Sequence, residues 1–525
     1  MQIHNKKIVG LSDIKIKTLL IYPPPGVFLY PPLSIPQLKA YLDLKNYNHI
    51  KVIDLSLYPQ SRLKIALVNY IFRKIANSKI LLNIIHKSRN RKLVKKFNQL
   101  SYLFISYFRR KRSKHNLTFN WSITSIANYI RDYQPEKFKY YKLIKSLIKK
   151  EDITVVGFSV MFPEQILYAL IISKIIKTLN KEIFVVMGGA QITRDIRYLI
   201  QQREWSNLVD SYIINDGEQP LAELIYQLEH SKNFDQVPNL YFKNGANYSK
   251  SIYTFSCDSE CLVLAPKFDG FFFSHLPLRL STGCPWSKCT FCTYRLFHKI
   301  YSCGRIETTI KIIKDLKKKY GISNFSFVDD CLPPNLLKKL SNALLKEEIK
   351  ILWSCTIALV PGLNSEIVKS MSQSGCRSIR TGLESMSARV LKLMGKPHNP
   401  EQAKKILALF RDSGIQVDIN VIFGFPTETK EEASLTLDFI LKNIGNLFDT
   451  VVMQQFSLEE DTIIFNEPQK FGITKIHGEK RIFGVRLGYE YEVDEGMTQE
   501  ESSLFTEKAK RLVHEKLRSW IPYIS

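Results

Sequence analysis

Leu276-Pro277-Leu278-Arg279-Leu280-Ser281-Thr282-Gly283-Cys284-Pro285-Trp286-Ser287-Lys288-Cys289-Thr290-Phe291-Cys292 is the stretch on which the reading of this chain turns. Leucines at 276, 278 and 280 alternate with other residues, the period of a strand, and Gly283 marks where that strand gives way to a loop. Three thiols, Cys284, Cys289 and Cys292, then fall within nine residues, so the loop brings its sulfurs toward one point at a strand end. A structural zinc site is normally closed by four Cys or His ligands. Three thiolates on a four-iron cluster instead leave one iron open to a ligand that is not protein. Zinc, or thiols that hold nothing, is the plainer alternative.

Downstream of this loop, strand and helix patterns alternate. Ile306 to Tyr320 reads as a basic amphipathic helix and Asn324 to Asp330 as a strand ending in two carboxylates. Further strands are expected at Ile349 to Ile357, Ser378 to Glu384, Gln416 to Phe423 and Thr450 to Phe456. Six such repeats predict a partial (β/α)6 barrel of the TIM type over residues 276–471, whose chemistry gathers at the C-terminal strand ends. The three cysteines, Asp329 and Asp330, Glu384 and Gly424 all fall at such ends. Residues 472–525, with a strand-like Arg481 to Tyr491 and a helix from Gln499 to Trp520, are expected to close the open side of the barrel.

Upstream, apolar runs at Ile16 to Tyr22, Lys51 to Leu55, Ile153 to Ser159, Ile183 to Met187 and Leu208 to Ile214 alternate with helical patterns. That order predicts an α/β domain over 1–240 with a doubly wound parallel sheet, which binds ligands in the turns after its strands. Residues 241–275 read as a linker, and Cys257 and Cys261 within it as ordinary thiols. Two or three domains suit 525 residues at the usual size of roughly 150 residues each.

The formal charge of +26 is concentrated. From Leu55 to Arg131 there is no Asp or Glu, while Arg62 to Lys114 holds sixteen Lys and Arg interleaved with apolar runs, so an insertion at about 58–131 interrupts the first domain. Met1 to Lys17 has no apolar core or small-residue cleavage site of a signal peptide. Thr18 to Leu38 is charge-free but carries six prolines, which a spanning helix would not tolerate. Clustered cysteines that stay free for metal point to a reducing compartment, so a cytoplasmic location is expected.

On Cys284, Cys289, Phe291 and Cys292 the sequence resembles the radical S-adenosylmethionine (SAM) superfamily. The resemblance implies a [4Fe-4S] cluster on the three cysteines, with SAM chelating the fourth iron and Phe291 packing near the adenine. Four residues separate the first two cysteines, where most members have three, and one more loop residue costs little entropy. Asp329 and Asp330 stand where members often carry Gly-Gly-Glu, which implies an acceptor for the SAM amine. Gly382-Leu383-Glu384-Ser385 matches a Gly-x-Glu-Ser stretch that implies a ribose or amine contact from Glu384, with Ser385 beside it. Gly424-Phe425-Pro426-Thr427-Glu428-Thr429 matches a turn near the adenine. Leu393-Met394-Gly395-Lys396 is also shared, without a role attached. Taken singly, each acid reads as well as a solvated helix cap.

Residues 14–240, minus the insertion, resemble the cobalamin-binding domain that precedes many radical SAM barrels. The matching pieces are Tyr22 to Pro32, Gly157-Phe158-Ser159, Met187-Gly188-Gly189-Ala190 and Gly217-Glu218, which implies cobalamin contacts from Tyr22, Pro32, Ser159, Gly188, Gly189 and Glu218. The Asp-x-His-x-x-Gly motif that supplies an axial histidine in cobalamin mutases is absent. A Rossmann-like domain that kept the sheet and lost the cofactor is the alternative. The implied chemistry is reductive cleavage of SAM to a 5'-deoxyadenosyl radical, then methylation of an unactivated carbon on a peptide or secondary metabolite. Relatives with the same two domains perform rearrangements or cyclisations, and an iron-sulfur protein that binds without turnover is a third reading.

An electron donor such as flavodoxin or ferredoxin and a small-molecule or peptide substrate are the implied partners. For the basic insertion, an anionic membrane surface would contribute about 1 kcal/mol per Lys or Arg, and an acidic peptide would dock by steering. Nucleic acid ranks last, because the extra cysteines and RNA-binding domain of the tRNA-modifying relatives are not evident. A solvated lid accounts for the charge equally well.

Overall fold

The computed structural model describes residues 16–25, 31–56, 123–252, 262–271, 273, 275–294, 300–483 and 486–518. Nearly all of the basic insertion lies outside the described residues, as do its expected membrane, peptide and nucleic-acid contacts and Cys257 and Cys261. The expected end of the insertion at 131 falls inside a helix, Ile123–Asp132, whose Ile126 and Ile130 are core residues. Among the described residues no helix is long and apolar enough to cross a membrane.

The first sheet comprises β1 (Thr18–Tyr22), β2 (Ile50–Asp54), β3 (Val155–Ser159), β4 (Phe184–Gly188), β5 (Ser211–Ile213), β6 (Leu240–Asn244) and β7 (Asn247–Lys250), in the order 2-1-3-4-5-6-7. The first five run parallel. Every residue of β1 and β3 is buried, because helices cover both faces of such a sheet and its strands read as unbroken apolar runs. Leu19 and Ile21 enter one core with Val156 and Phe158, while Leu20 and Tyr22 enter a second that continues to Leu276, Phe325 and Trp353 of the barrel. The two domains are therefore joined through shared apolar packing. The expected linker begins too early: β6 and β7 pair antiparallel onto β5, so the first sheet extends to Lys250. A hairpin this polar (NYSK in β7) carries no apolar alternation to announce it.

The second sheet comprises β8 (Leu276–Leu278), β11 (Asn324–Phe327), β12 (Leu352–Ile357), β13 (Cys376–Glu384), β14 (Gln416–Phe423) and β15 (Thr450–Gln455), all parallel in the order 15-14-13-12-11-8. This is the expected six-stranded partial barrel. Two short strands, β9 (Ser281–Thr282) and β10 (Ser302–Cys303), pair antiparallel at its first edge. The tail forms a hairpin of β16 (Ile473–Phe483) and β17 (Arg486–Val493), where one strand was expected, followed by a helix at Gln499–Arg518. That helix packs on the outer side of β14 and β15, with Phe505 against Phe423 at 5.2 Å. It covers the last edge of the sheet rather than its open side.

Candidate active site

The cysteine loop begins with Gly283 at φ +77° and takes a second left-handed turn at Ser287, φ +49°, within the long spacer. What holds it is the segment to which the family resemblance attached no role. Trp286 Nε1 donates to Gly395 O at 2.8 Å, Thr290 N to Met394 O at 3.0 Å and Thr290 Oγ1 to Leu393 O at 2.9 Å. From the other side Ile464 N donates to Thr290 O at 3.0 Å. Gly395 sits at φ +68°, and a Cβ there would lie 2.4 Å from Lys288 O, so only glycine lets the two backbones meet. Phe291 is buried, edge-on to Phe425 at 6.5 Å, in a cluster with Phe456, Phe471 and Tyr491.

Cys284, Cys289 and Cys292 are free, half-buried thiols. A hydrogen bond from the Cys331 thiol, helped by the Ser287 and Trp286 amides and the Lys396 charge, brings the Cys284 thiol down to about 6 against the cost of burial. Burial raises that of Cys289, with Lys396 opposing. Among the described residues no three His, Cys, Asp or Glu side chains close on a single metal ion. Three sulfur donors on one loop, one of them thiolate-prone beside a buried cation, fit a [4Fe-4S] cluster with one open iron.

Lys396 is that cation. Burial works against its ammonium, but Glu384, Cys289 and Cys292 keep its pKa above the usual lysine value. It pairs with Glu384 at 3.2 Å, each side chain 9% exposed. Glu384 lies at φ +62°, beyond an irregularity in the β13–β14 ladder between Gly382 and Glu384. Such bulges re-aim side chains, and this one folds the carboxylate back over its own strand. A Cβ on Gly382 would lie 1.9 Å from Glu384 Oε1, the physical reason for glycine two residues ahead of the acid.

The other expected SAM residues divide. Asp329 accepts from Leu280 N, Ser281 N and Ser281 Oγ at 2.9, 2.6 and 2.8 Å through one oxygen, while its buried Oδ2 has no partner. Burial raises its carboxyl to about 6. Asp329 thus staples the strand that feeds the cysteine loop. Asp330 is raised to about 7 by burial, with Arg279 opposing. Ser385, expected beside Glu384, is held by its own surroundings. It is fully buried, with Oγ accepting from Ser387 N at 3.1 Å and lying 3.3 Å from Thr436 Oγ1. The freedom of Gly424 (φ +73°) serves the tail helix, because a Cβ there would lie 2.2 Å from Ser502 Cβ.

Glu428 is buried and accepts from Gly424 N at 2.6 Å through Oε2, and its Oε1 has no hydrogen-bond partner among the described residues. Burial raises its carboxyl from 4.5 to about 8. Between those values the folded chain holds a proton that the unfolded chain has released, so this group lowers stability as pH rises from about 4.5 to about 8, with a limiting slope of roughly 1.4 kcal/mol per unit. Glu428→Gln is expected to flatten that part of the profile, as read by urea unfolding at pH 5 and pH 8. An unchanged slope would contradict it.

In the first domain, β1 lies between β2 and β3, the switch point at which doubly wound sheets bind ligands. Tyr22, Pro32 and Ser159, all buried, gather there. Ser159 Oγ donates to Ser34 Oγ at 2.8 Å, and Gln165 Nε2 donates to Pro23 O at 2.8 Å and Pro25 O at 3.2 Å, holding the proline loop. Gly189, at φ +105°, would carry a Cβ 2.5 Å from Val160 O, so the pair after β4 permits a close strand-end approach, with Val160 N donating to Gly188 O at 2.8 Å. Glu218 is buried at the start of the helix Glu218–Glu229. Asp216, in the same turn, pairs with Arg279 at 3.3 Å, and Arg194 pairs with Glu459 at 2.9 Å. Reading the sequence missed Lys396, Arg279 and Cys331 as site residues, because each gains its meaning from a partner on another element.

A three-thiol loop thus stands at the first strand end of the barrel, beside a second sheet of the kind that binds ligands at its strand ends. Residues 278–440 match the family described as the Radical SAM superfamily, and this barrel is a radical SAM domain, of a family that uses a [4Fe-4S] cluster and SAM. The chain is 28% identical over 312 residues to an uncharacterized methyltransferase, PH0819, of Pyrococcus horikoshii, covering 57% of this chain and 66% of that one. It is 25% identical over 174 residues to the bacteriochlorophyllide d C-12(1)-methyltransferase of Chlorobaculum tepidum, covering 32% of this chain and 38% of that one. It thus spans two thirds or less of these curated relatives. The fold is shared with the methyltransferase TsrM of Kitasatospora setae (TM-score 0.57, 14% identity, 88% of this chain and 79% of that one). It is also shared with the cobalamin-dependent radical enzyme OxsB (TM-score 0.55, 17% identity, 87% and 56%). TsrM has been seen with cobalamin and a [4Fe-4S] cluster bound, and OxsB with aqua-cobalamin and SAM.

Proposed function

We propose that this chain is a cobalamin-dependent radical SAM enzyme that methylates an unactivated carbon of a peptide or secondary metabolite. The observation that carries the reading is the pairing of Arg279 with Asp216. It ties the turn after β5, a strand end of the first domain, to the residue five positions ahead of the first cluster cysteine. Two ligand-binding rims are thereby held face to face. Curated methyltransferases among its relatives and the cobalamin-bearing structures that share its fold support the same reading.

In this reading Cys284, Cys289 and Cys292 hold the cluster, and Lys396 offsets part of its negative charge. Glu384, Asp330 and Phe291 lie where SAM would be held. The switch-point crevice lined by Tyr22, Pro32 and Ser159, with Gly188, Gly189 and Glu218 on the neighbouring strand ends, would receive the corrin. When bound, the cluster supplies the electron that cleaves SAM and cobalamin carries the methyl group; the protein supplies position and keeps water out. A flavodoxin- or ferredoxin-type donor would deliver the electron.

Anaerobic reconstitution with iron, sulfide, hydroxocobalamin and SAM tests this. We expect near-stoichiometric corrin to stay with the protein through gel filtration, and both 5'-deoxyadenosine and S-adenosylhomocysteine to form. No retained corrin would end the methyltransferase reading. A second reading, radical rearrangement or cyclisation with a docking-only first domain, is favoured by the way Ser159 already bonds Ser34 and the Gly189 carbonyl already accepts from Thr193 N at 3.0 Å. It predicts 5'-deoxyadenosine alone, and a binding protein without turnover predicts neither product.

A further inference from the structure

The inner wall of the barrel carries a cation that no part of the site above uses. In β13, Ile379, Thr381 and Leu383 are buried, and in β14 so are Val417, Ile419 and Val421. Strand alternation then turns Arg380 and Asp418 to the opposite, inner face. The register sets Arg380 beside Thr356 of β12 and Asp418 of β14. Barrels ordinarily fill this space with layers of bulky branched side chains. Here the inner positions hold Ser354, Thr356, Asp418 and Asn420, and Arg380 is exposed in mid-strand.

Its guanidinium makes no hydrogen bond, ion pair or ring contact with any described residue. Asp418 is engaged instead by Thr450, whose Oγ1 donates to its Oδ1 at 2.5 Å. Above Arg380 on the same strand, Gly382 carries no side chain, and the Glu384 carboxylate folds into that space with the Lys396 ammonium beside it.

We infer that Arg380 determines substrate specificity by binding a carboxylate of the substrate inside the barrel, an inference that rests on the enzymatic reading above. A guanidinium presents a planar fork that matches a carboxylate bidentately. Asp418 on the next strand narrows the choice, because its charge repels a phosphate dianion more strongly than a singly charged carboxylate. Held there, the substrate directs its far end to the rim where the cysteines and Glu384 meet.

Binding of benzoate, benzamide and phenyl phosphate to the reconstituted full chain, measured by saturation-transfer NMR, separates the outcomes. We expect benzoate to bind at least tenfold more tightly than benzamide, and phenyl phosphate to gain nothing over benzoate. Arg380→Met should abolish the charge preference and Arg380→Lys should keep part of it, with iron content and melting temperature unchanged in both. Equal binding of benzoate and benzamide, benzoate binding that survives Arg380→Met, or phenyl phosphate binding the tightest would each overturn the assignment. Formation of 5'-deoxyadenosine in the same preparation reports on the parent reading. If it forms without any charge preference, Arg380 alone is misassigned; if the preference holds without it, the enzymatic reading fails alone.

Discussion

Replacing Cys284, Cys289 and Cys292 together by alanine is expected to abolish iron binding and to lower SAM cleavage by on the order of 10³-fold or more, over about 4 kcal/mol of barrier. The fold should survive. The three thiols are half-buried on a loop, and the hydrogen bonds of that loop to Leu393, Met394, Gly395 and Ile464 use none of the sulfurs. A structural effect within about 1 kcal/mol is therefore anticipated. Iron per chain, visible absorption and 5'-deoxyadenosine yield are the measurements. Cys331→Ala is the control, since Cys331 touches Cys284 from another strand end and is not expected to be a ligand. If it strips iron as fully as the triple variant, the ligand set has been misread.

Gly395→Ala is expected to cost about 2–4 kcal/mol of stability and most of the iron content. A left-handed conformation costs a non-glycine residue roughly 1–2 kcal/mol, and overpacking adds about 1–3 kcal/mol. The added carbon would press on Lys288 O at 2.4 Å, within the cysteine loop itself, so strain and cluster loss should arrive together. Gly414→Ala separates the two terms. Gly414 has nearly the same φ, +71°, but open space around its missing Cβ, and its substitution should cost only the conformational part and leave iron in place. Chemical denaturation and iron analysis of both variants decide the matter. Equal iron content in the two would show that the cradle does not hold the loop.

These two expectations differ in how they could be reached. The cysteines are legible as a group because their chemistry lies within nine residues of chain. Five of the seven strands in the first sheet were legible because strands covered on both faces read as apolar runs, and the six barrel strands because apolar residues recur along them between helical stretches. The hairpin of β6 and β7 and the first arm of the tail hairpin were not, since edge and two-stranded elements need no apolar face. Ser385 and Gly424 were placed near SAM by resemblance, and the structure gives them further tasks, in a buried turn and at the approach of the tail helix. Both tasks are set by Thr436 and Ser502, neither of which lies in the motif it serves.

Sequence by itself determined the alternation of strands and helices, the three-thiol loop and the acids at strand ends, because each is a property of a short stretch and its period. Tertiary structure alone decided what surrounds them. It set Lys396 against Glu384, put Asp329 under Leu280 and Ser281, brought Asp216 to Arg279 across two domains and left Arg380 exposed on the inner wall. Those contacts join residues between 12 and 63 positions apart, and the charge, burial and direction of each side chain exist only once the sheet has brought its strands side by side.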